Sequence, residues 1–290
     1  MTPPPARVIR AAVERALAED LGQGDATTAA LFPDPVHARG TIVAHHEMTV
    51  AGIAVARQVF REVDTSVKVV RTVKDGAKVQ RESLVLVVKG DARSLLMAER
   101  VALNFLQRLS GIATLTAKFR EAVRGYRVKI LDTRKTTPGL RALEKWAVRL
   151  GGGVNHRQSL SDGILIKDNH LRLAGSDVAH ACRLARERAP HGLKIEVEAQ
   201  TLDEVRAALD GGADIILLDN MSTPLIRMVV NLIKGRALVE VSGGVTLANV
   251  REIAAAGPDL ISVGALTHSA PAVNLSMDMV RVRRQQSKTR

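Results

Sequence analysis

The spacing of hydrophobic positions changes near residue 110. Before it, residues 6–20 carry Val8, Ala12, Val13, Ala16 and Leu17 on one side of a helical repeat. Residues 67–88 read as extended segments around an Asp75-Gly76 turn. Asp91 is a suitable N-cap for an apolar helix through Leu95, Leu96, Met97, Val101, Leu103 and Leu106. Beyond residue 110, short β-branched runs recur, each followed by a helical pattern. They are VKILD (128–132), GILIK (163–167), KIEVE (194–198), DIILLD (214–219), ALVEVS (237–242) and LISVG (260–264). Such alternation predicts parallel βαβ units, and runs apolar on both faces fit a sheet covered by helices.

Each run closes on a polar or small residue: Asp132, Lys167, Glu198, Asp219, Ser242 and Gly264. Their separations are 35, 31, 21, 23 and 22 residues, about one βα unit each. In a (β/α) barrel these strand ends converge on one face, where active sites are built. A doubly wound open sheet is the rival, but its GxGxxG turn does not occur in the chain. The expectation is an α/β protein, with a (β/α) barrel of six or seven strands following a differently built N-terminal region.

The chemistry expected at those ends begins in DTRKTTPGLR (132–141). There Thr137 would cap a helix and Pro138 would take its first position. Leu140, Leu143, Ala147 and Leu150 would form the buried stripe, with Gly151 as the stop. Next comes GGGVNHRQSLSDGILIKDNH (151–170), which brings His156, Arg157 and Lys167. With Arg134 and Lys135, Arg157 and Lys167 place four cations around one face, and paired arginines suit bidentate capture of carboxylate or phosphate. Glu198 and Asp219 oppose them. Glu196 shares a face with Glu198, and the strand-end position favours Glu198 for the site. VSGGVT (241–246) and SVGALTHSA (262–270) follow the last two strands with the small residues that let backbone N–H groups approach a phosphate. His37, His45 and His46 lack metal-ligand spacing, and Cys182 in ACRLARERA reads as packed in a helix.

Charge narrows the partners. The net charge is +12, and five of those positives lie in RVRRQQSKTR (281–290), read as a helix end fraying into a solvated tail; without them +7 remains. Aromatic residues are only 2%, and no zinc-finger spacing, RNP-like motif or basic zipper accompanies the charge. Small polyanionic substrates are therefore expected rather than nucleic acid. No stretch approaches the length of a membrane helix, and the N-terminal segment lacks a secretory apolar core. A single cysteine permits no disulfide within the chain and fits a reducing compartment. A soluble cytoplasmic protein is the expectation.

Taken in order, EDLGQGDATT (19–28), ERVALNFLQRLSGIAT (99–114), DTRKTTPGLR, GGGVNHRQSLSDGILIKDNH, EVE (196–198), LLDNM (217–221), VSGGV and GALTHS resemble the quinolinate phosphoribosyltransferase family. The resemblance implies an open α/β sandwich over 1–108, joined by the segment 272–290, and an irregular α/β barrel over 109–271. It implies transfer of phosphoribosyl from phosphoribosyl pyrophosphate to quinolinate, with decarboxylation, to form nicotinate mononucleotide in NAD biosynthesis. It also implies a homodimer with shared active sites, Arg100 being the residue a partner contributes; assembly into hexamers stays open. By the same resemblance, Arg100, Thr133, Arg134, His156, Arg157 and Lys167 hold quinolinate. Lys135, Glu198 and Asp219 are catalytic and bind phosphoribosyl pyrophosphate. Ser242-Gly243-Gly244 and Val263-Gly264-Ala265 receive its phosphates, with His268 beside them. No residue is assigned as a direct metal ligand: Mg²⁺ is expected to be held mainly by substrate oxygens and water, with Glu198 and Asp219 placed to assist.

Two rivals stay open at this point. A paralogue of the same fold could act on another acceptor, such as nicotinate or a molybdenum-system substrate, and would not need the whole cationic clamp. A basic nucleic-acid-binding protein would instead be retained on DNA in a salt-dependent way.

Overall fold

The computed structural model describes residues 1–175 and 177–282. Its elements run α1 (Ala6–Leu21), α2 (Ala26–Leu31), β1 (His37–Ala44), β2 (Met48–Thr49), α3 (Ile53–Val63), β3 (Lys68–Thr72), β4 (Lys78–Val79), β5 (Leu84–Asp91), α4 (Ala92–Ala122) and β6 (Lys129–Leu131). They continue as α5 (Arg141–Leu150), β7 (Ile164–Ile166), α6 (Asp168–Ala174), α7 (Val178–Arg188), β8 (Ile195–Ala199), α8 (Leu202–Asp210) and β9 (Ile215–Asp219). The last are α9 (Thr223–Ile233), β10 (Leu238–Ser242), α10 (Val250–Ala255), β11 (Leu260–Ser262), α11 (Ala265–His268) and β12 (Leu275–Arg281). The chain divides into two compact units. One gathers residues 1–115, 137–151 and the chain from 270 onward; the other holds 116–136 and 152–269.

The first unit is built on an antiparallel sheet in the order β12-β1-β5-β3. Thr41 of β1 lies opposite Asp278 on one side and Val87 on the other. Helix α3 buries Val55, Ala56, Val59 and Phe60, and α1 buries Ile9, Ala12, Val13 and Leu17. The Asp75-Gly76 turn does not close a hairpin, because β3 pairs with β5 whereas β4 pairs with β2. Its carboxylate instead accepts the N–H groups of Gly52, Ile53 and Ala54 at 2.7, 2.9 and 3.2 Å, satisfying the start of α3. Burial raises the Asp75 carboxyl above its ordinary value, and those three bonds oppose the rise.

Asp91 accepts the Arg93 N–H at 3.0 Å as the expected cap, and α4 runs well past Leu106 to Ala122. Gly111 within it faces the Pro271 carbonyl so closely that a Cβ there would collide with backbone. Two expectations are corrected. The residues read as the end of a C-terminal helix begin in a strand: Leu275 and Met277 alternate into the core, and β12 reaches Arg281. Positions 283–290 of that tail lie outside the described residues. Thr137 and Pro138 do not start α5, which begins at Arg141. Glu144 is fully buried and takes the Thr137 N–H at 3.0 Å and hydroxyl at 2.7 Å, together with Arg108 Nε at 3.1 Å. A buried carboxylate needs such donors, so Thr137 serves Glu144 rather than a helix terminus. Leu143 and Ala147 are buried as expected, whereas Leu140 and Leu150 are half-buried.

The second unit is a parallel sheet in the order β6-β11-β10-β9-β8-β7. The α/β class holds, with six strands, but the described pairings do not close the ladder into a barrel. Beyond its pairing with β11, β6 bridges Val154 through Leu131, and it does not pair with β7. Register places Ser242 level with Asp219, and Leu217 level with both Glu198 and Glu240.

Gly111→Ala should destabilise the protein by about 1–3 kcal/mol, the scale of overpacking against fixed backbone. Denaturant titration checks this, and unchanged stability would mean that the Pro271 segment yields.

Candidate active site

Side chains two apart on a strand share a face. Glu196 and Glu198 therefore point one way, as do Leu217 with Asp219 and Glu240 with Ser242. Thr133, Arg134 and Lys135 follow β6, and His156 and Arg157 precede β7, which Lys167 follows. With Glu198, Leu217, Asp219, Asn220, Glu240, Ser242, Gly243, Gly244 and Ser262, these residues wall a cavity of about 650 Å³ within the second unit.

Four cations enter it. Arg134 and Arg157 both carry a buried Nε with no hydrogen-bond partner, although Arg157 Nη1 donates to the Gly163 carbonyl at 2.8 Å. Burial, then the neighbouring Arg134, lower the Arg157 pKa from its ordinary value. Lys167 Nζ meets Glu198 Oε2 at 2.8 Å. The Lys135 backbone is pinned by the Thr267 hydroxyl, which donates to its carbonyl at 2.7 Å. Orphaned guanidinium N–H groups in a concave pocket are donors for a carboxylate or phosphate.

The phosphate-site candidates separate in the structure. Gly243 has φ +87°, and a Cβ there would run into the Asn220 side chain, so only glycine fits. Ser242, Gly243 and Gly244 line the cavity. Val263, Gly264, Ala265 and His268 are not among its walls, and the Val263 N–H is taken by the Leu131 carbonyl at 2.9 Å. Gly264 still abuts the site: a Cβ on it would lie 3.0 Å from His268 Nε2 and 3.3 Å from Lys135 Cδ. Arg100 lies on the exposed side of α4 in the first unit.

Beneath the cations sits a buried acidic cluster. Asp132, wholly buried, does not face the cavity as a strand-end acid; it accepts the His156 N–H at 2.9 Å and the Asn155 side-chain amide. The Arg157 N–H donates to His156 Nδ1 at 2.8 Å, so Nδ1 is an acceptor and the ring proton sits on Nε2. That Nε2 lies 3.0 Å from Glu196 Oε2 and 3.7 Å from Glu240 Oε1. Glu240 is 1% exposed, and its Oε1 has no hydrogen-bond partner. Burial first, then the Glu196 charge, push its carboxyl up to about 7, against the pull of His156 and the Ser262 hydroxyl. His156, Glu196 and Glu240 each offer an atom within 4.8 Å of the others. With both ring nitrogens engaged, the trio reads as a proton-holding cluster rather than a cation site. Glu240 was missed from the sequence, although its position two residues before Ser242 repeats that of Glu196 before Glu198.

A model of the quinolinate phosphoribosyl transferase C-terminal domain matches residues 112–278, and one of the N-terminal domain matches 25–110. The chain belongs to the quinolinate phosphoribosyltransferase family. Among its relatives, a "probable nicotinate-nucleotide pyrophosphorylase [carboxylating]" of Bacillus subtilis is 44% identical over 264 residues, covering 90% of each chain. "Quinolinate phosphoribosyltransferase [decarboxylating] 1b" of Nicotiana tabacum is 41% identical over 287 residues, covering 93% of this chain and 81% of that one. The crystal structure of NadC from Streptococcus pyogenes superposes with a TM-score of 0.93 at 41% identity, covering 98% of this chain and 100% of the other. The C-terminal match takes in every strand of the parallel sheet, hence every residue of the cavity wall.

Glu240 also yields a pH signature. Its folded pKa lies above the unfolded one, so the stability attributable to it falls as pH rises through the range from about 4.5 to about 7. Glu240→Gln removes that dependence. The melting temperature of the variant relative to wild type should therefore climb between pH 5 and pH 8. A constant difference would show that Glu240 is already ionised at pH 5.

Proposed function

We propose that this protein joins quinolinate to phosphoribosyl pyrophosphate, forming nicotinate mononucleotide, pyrophosphate and CO₂ in NAD biosynthesis. The observation that carries this reading is the pair of unpartnered guanidinium Nε atoms of Arg134 and Arg157. Both arginines line a cavity that also holds Glu198, Asp219 and Ser242-Gly243-Gly244. Quinolinate presents two adjacent carboxylates, which Arg134, Arg157 and Lys167 clamp in the desolvated pocket. His156 orients the Arg157 backbone from beneath.

Clamping aims the ring nitrogen at the anomeric carbon of the sugar, and the nitrogen attacks as pyrophosphate leaves. Glu198 and Asp219 hold the ribose hydroxyls and stabilise the positive charge that develops on the ribose. Lys135 and the Ser242–Gly244 backbone receive the phosphates. Two carboxylates at the open end of a phosphate-binding cavity suit a hard, water-rich cation. Glu198 and Asp219 are the residues that would help hold Mg²⁺, which would offset negative charge on the pyrophosphate. The quaternised ring then accepts the electron pair left by CO₂. No protein nucleophile is required.

The working form is a homodimer with shared sites, supported by the exposure of Arg100 on α4 and by the family resemblance of AERVALN. The single cysteine supports a cytoplasmic setting; among the described residues no helix is long and apolar enough to cross a membrane.

Carboxyl-labelled quinolinate should release CO₂ only when phosphoribosyl pyrophosphate and Mg²⁺ are both present. Release that ignores phosphoribosyl pyrophosphate, or none at all from folded protein, would exclude the reaction. Arg134→Ala and Arg157→Ala should each weaken quinolinate binding by about 2–5 kcal/mol, the scale for breaking a buried charged contact. Calorimetric affinities equal to wild type would remove them from the clamp. Heterodimers of Arg100→Ala with Glu198→Ala chains should regain activity at one intact site, and silence in verified heterodimers would dismiss the shared arrangement.

A further inference from the structure

The proposed reaction leaves one atom unaccounted for. Loss of CO₂ puts a proton on the ring carbon, and none of the residues assigned above supplies it. Arg134, Arg157 and Lys167 are engaged with the quinolinate carboxylates and Lys135 with phosphate, and Glu198 and Asp219 attend the ribose. His156 cannot serve readily: its Nδ1 is an acceptor from the Arg157 N–H at 2.8 Å, and its Nε2–H is donated to Glu196 at 3.0 Å.

Glu240 is placed differently. It lines the cavity yet is 1% exposed, and its Oε1 has no hydrogen-bond partner. His156 Nε2, 3.7 Å from that oxygen, already donates to Glu196, and a buried carboxylate oxygen without a hydrogen bond is costly as an anion and much less so as a neutral acid. A protonated Oε1 is a donor without an acceptor until something enters the pocket. The same residue, with His156 and Arg157, also borders a second cavity of about 260 Å³, walled by Leu131, Ile215 and Leu260. Glu240 thus stands between the substrate chamber and a separate space that can hold water. Resting on the substrate reading above, we infer that Glu240 is the acid that protonates the ring carbon from which CO₂ departs.

The step balances. The bond between ring carbon 2 and its carboxylate breaks, CO₂ leaves, and the electron pair stays on carbon 2 beside the positively charged ring nitrogen. The Glu240 hydroxyl gives its proton to that carbon, a C–H bond forms, and Glu240 becomes a carboxylate. Water then restores the proton before the next turnover. Protonation also makes decarboxylation irreversible, because a carbanion left unprotonated beside trapped CO₂ recombines with it.

The surroundings keep the acid neutral. Facing Glu240 are Glu196 from β8, His156 from the segment before β7, Asp132 from the end of β6 and the Ser262 hydroxyl from β11, while Leu217 is its apolar neighbour on β9. Arg134, Arg157 and Lys167 look into the same cavity from the substrate side. Burial and the nearby acids outweigh His156 and Ser262, so the carboxyl titrates at about 7 rather than as an ordinary glutamate.

The test is a single turnover with excess enzyme, quenched and analysed for both pyrophosphate and CO₂. In the wild-type enzyme, the rate of CO₂ release relative to pyrophosphate release should fall at least tenfold between pH 6 and pH 9, with a still-carboxylated nucleotide accumulating. In Glu240→Gln the ratio should be at least tenfold lower at pH 6, with no further fall to pH 9. A Glu240→Gln ratio equal to wild type, or one that keeps the alkaline limb, would overturn the assignment. So would a wild-type ratio that is flat with pH, which needs no variant and decides the matter if Glu240→Gln fails to fold. Wild-type protein that makes no pyrophosphate from the two substrates would fail the functional reading itself, and the role of Glu240 with it.

Discussion

Glu196 and Glu240 are buried side by side with one histidine between them, and the geometry of the catalytic cavity follows from that placement. Burial and the neighbouring Glu196 raise the Glu240 carboxyl to about 7, while Glu196 takes the imidazole N–H. Asp132, buried at the end of β6, fixes the backbone at His156. The His156 ring in turn receives the Arg157 N–H, which sets where that guanidinium enters the pocket. A chain of hydrogen bonds thus runs from the sheet interior to Arg157 at the cavity wall.

Above the cluster, the charge balance is reversed. Arg134 and Arg157 are partly desolvated and mutually repulsive, and their Nε atoms are unpaired. Such a site is poised for a dianion, because binding satisfies the stranded donors and relieves the repulsion together. Lys167 is already ion-paired with Glu198. That contact ties the end of β8 to the residue that follows β7.

The parallel sheet makes this layering possible. Alternation puts residues 196 and 198, 217 and 219, and 240 and 242 on one face, with Glu198, Leu217 and Glu240 at one level and Asp219 with Ser242 one step further along. Within each strand the polar residue nearer the strand end, Glu198, Asp219 or Ser242, follows a more deeply buried one, Glu196, Leu217 or Glu240. One strand periodicity therefore delivers both a substrate surface and the proton-holding floor beneath it.

Much of this was legible in the linear chain. The recurring apolar runs specified parallel βα units, because a strand buried on both faces requires them. Their polar ends named Lys167, Glu198, Asp219 and Ser242, and the loops after them named Arg134, Lys135, Arg157 and the SGG turn. Spacing cannot report what crosses between strands. Thr137 looked like a helix cap because the buried Glu144 that claims it is seven residues away. Asp75 looked like a hairpin turn because its N–H partners lie more than twenty residues earlier. Asp132 read as one more strand-end acid of the site, and Glu240 was passed over. Burial depth and the absence of a partner are properties of packing, and those decide whether a carboxyl is a solvated anion or a neutral acid. Local pattern determined which residues reach the site; only the tertiary structure decided their protonation, because that depends on neighbours brought together from other strands.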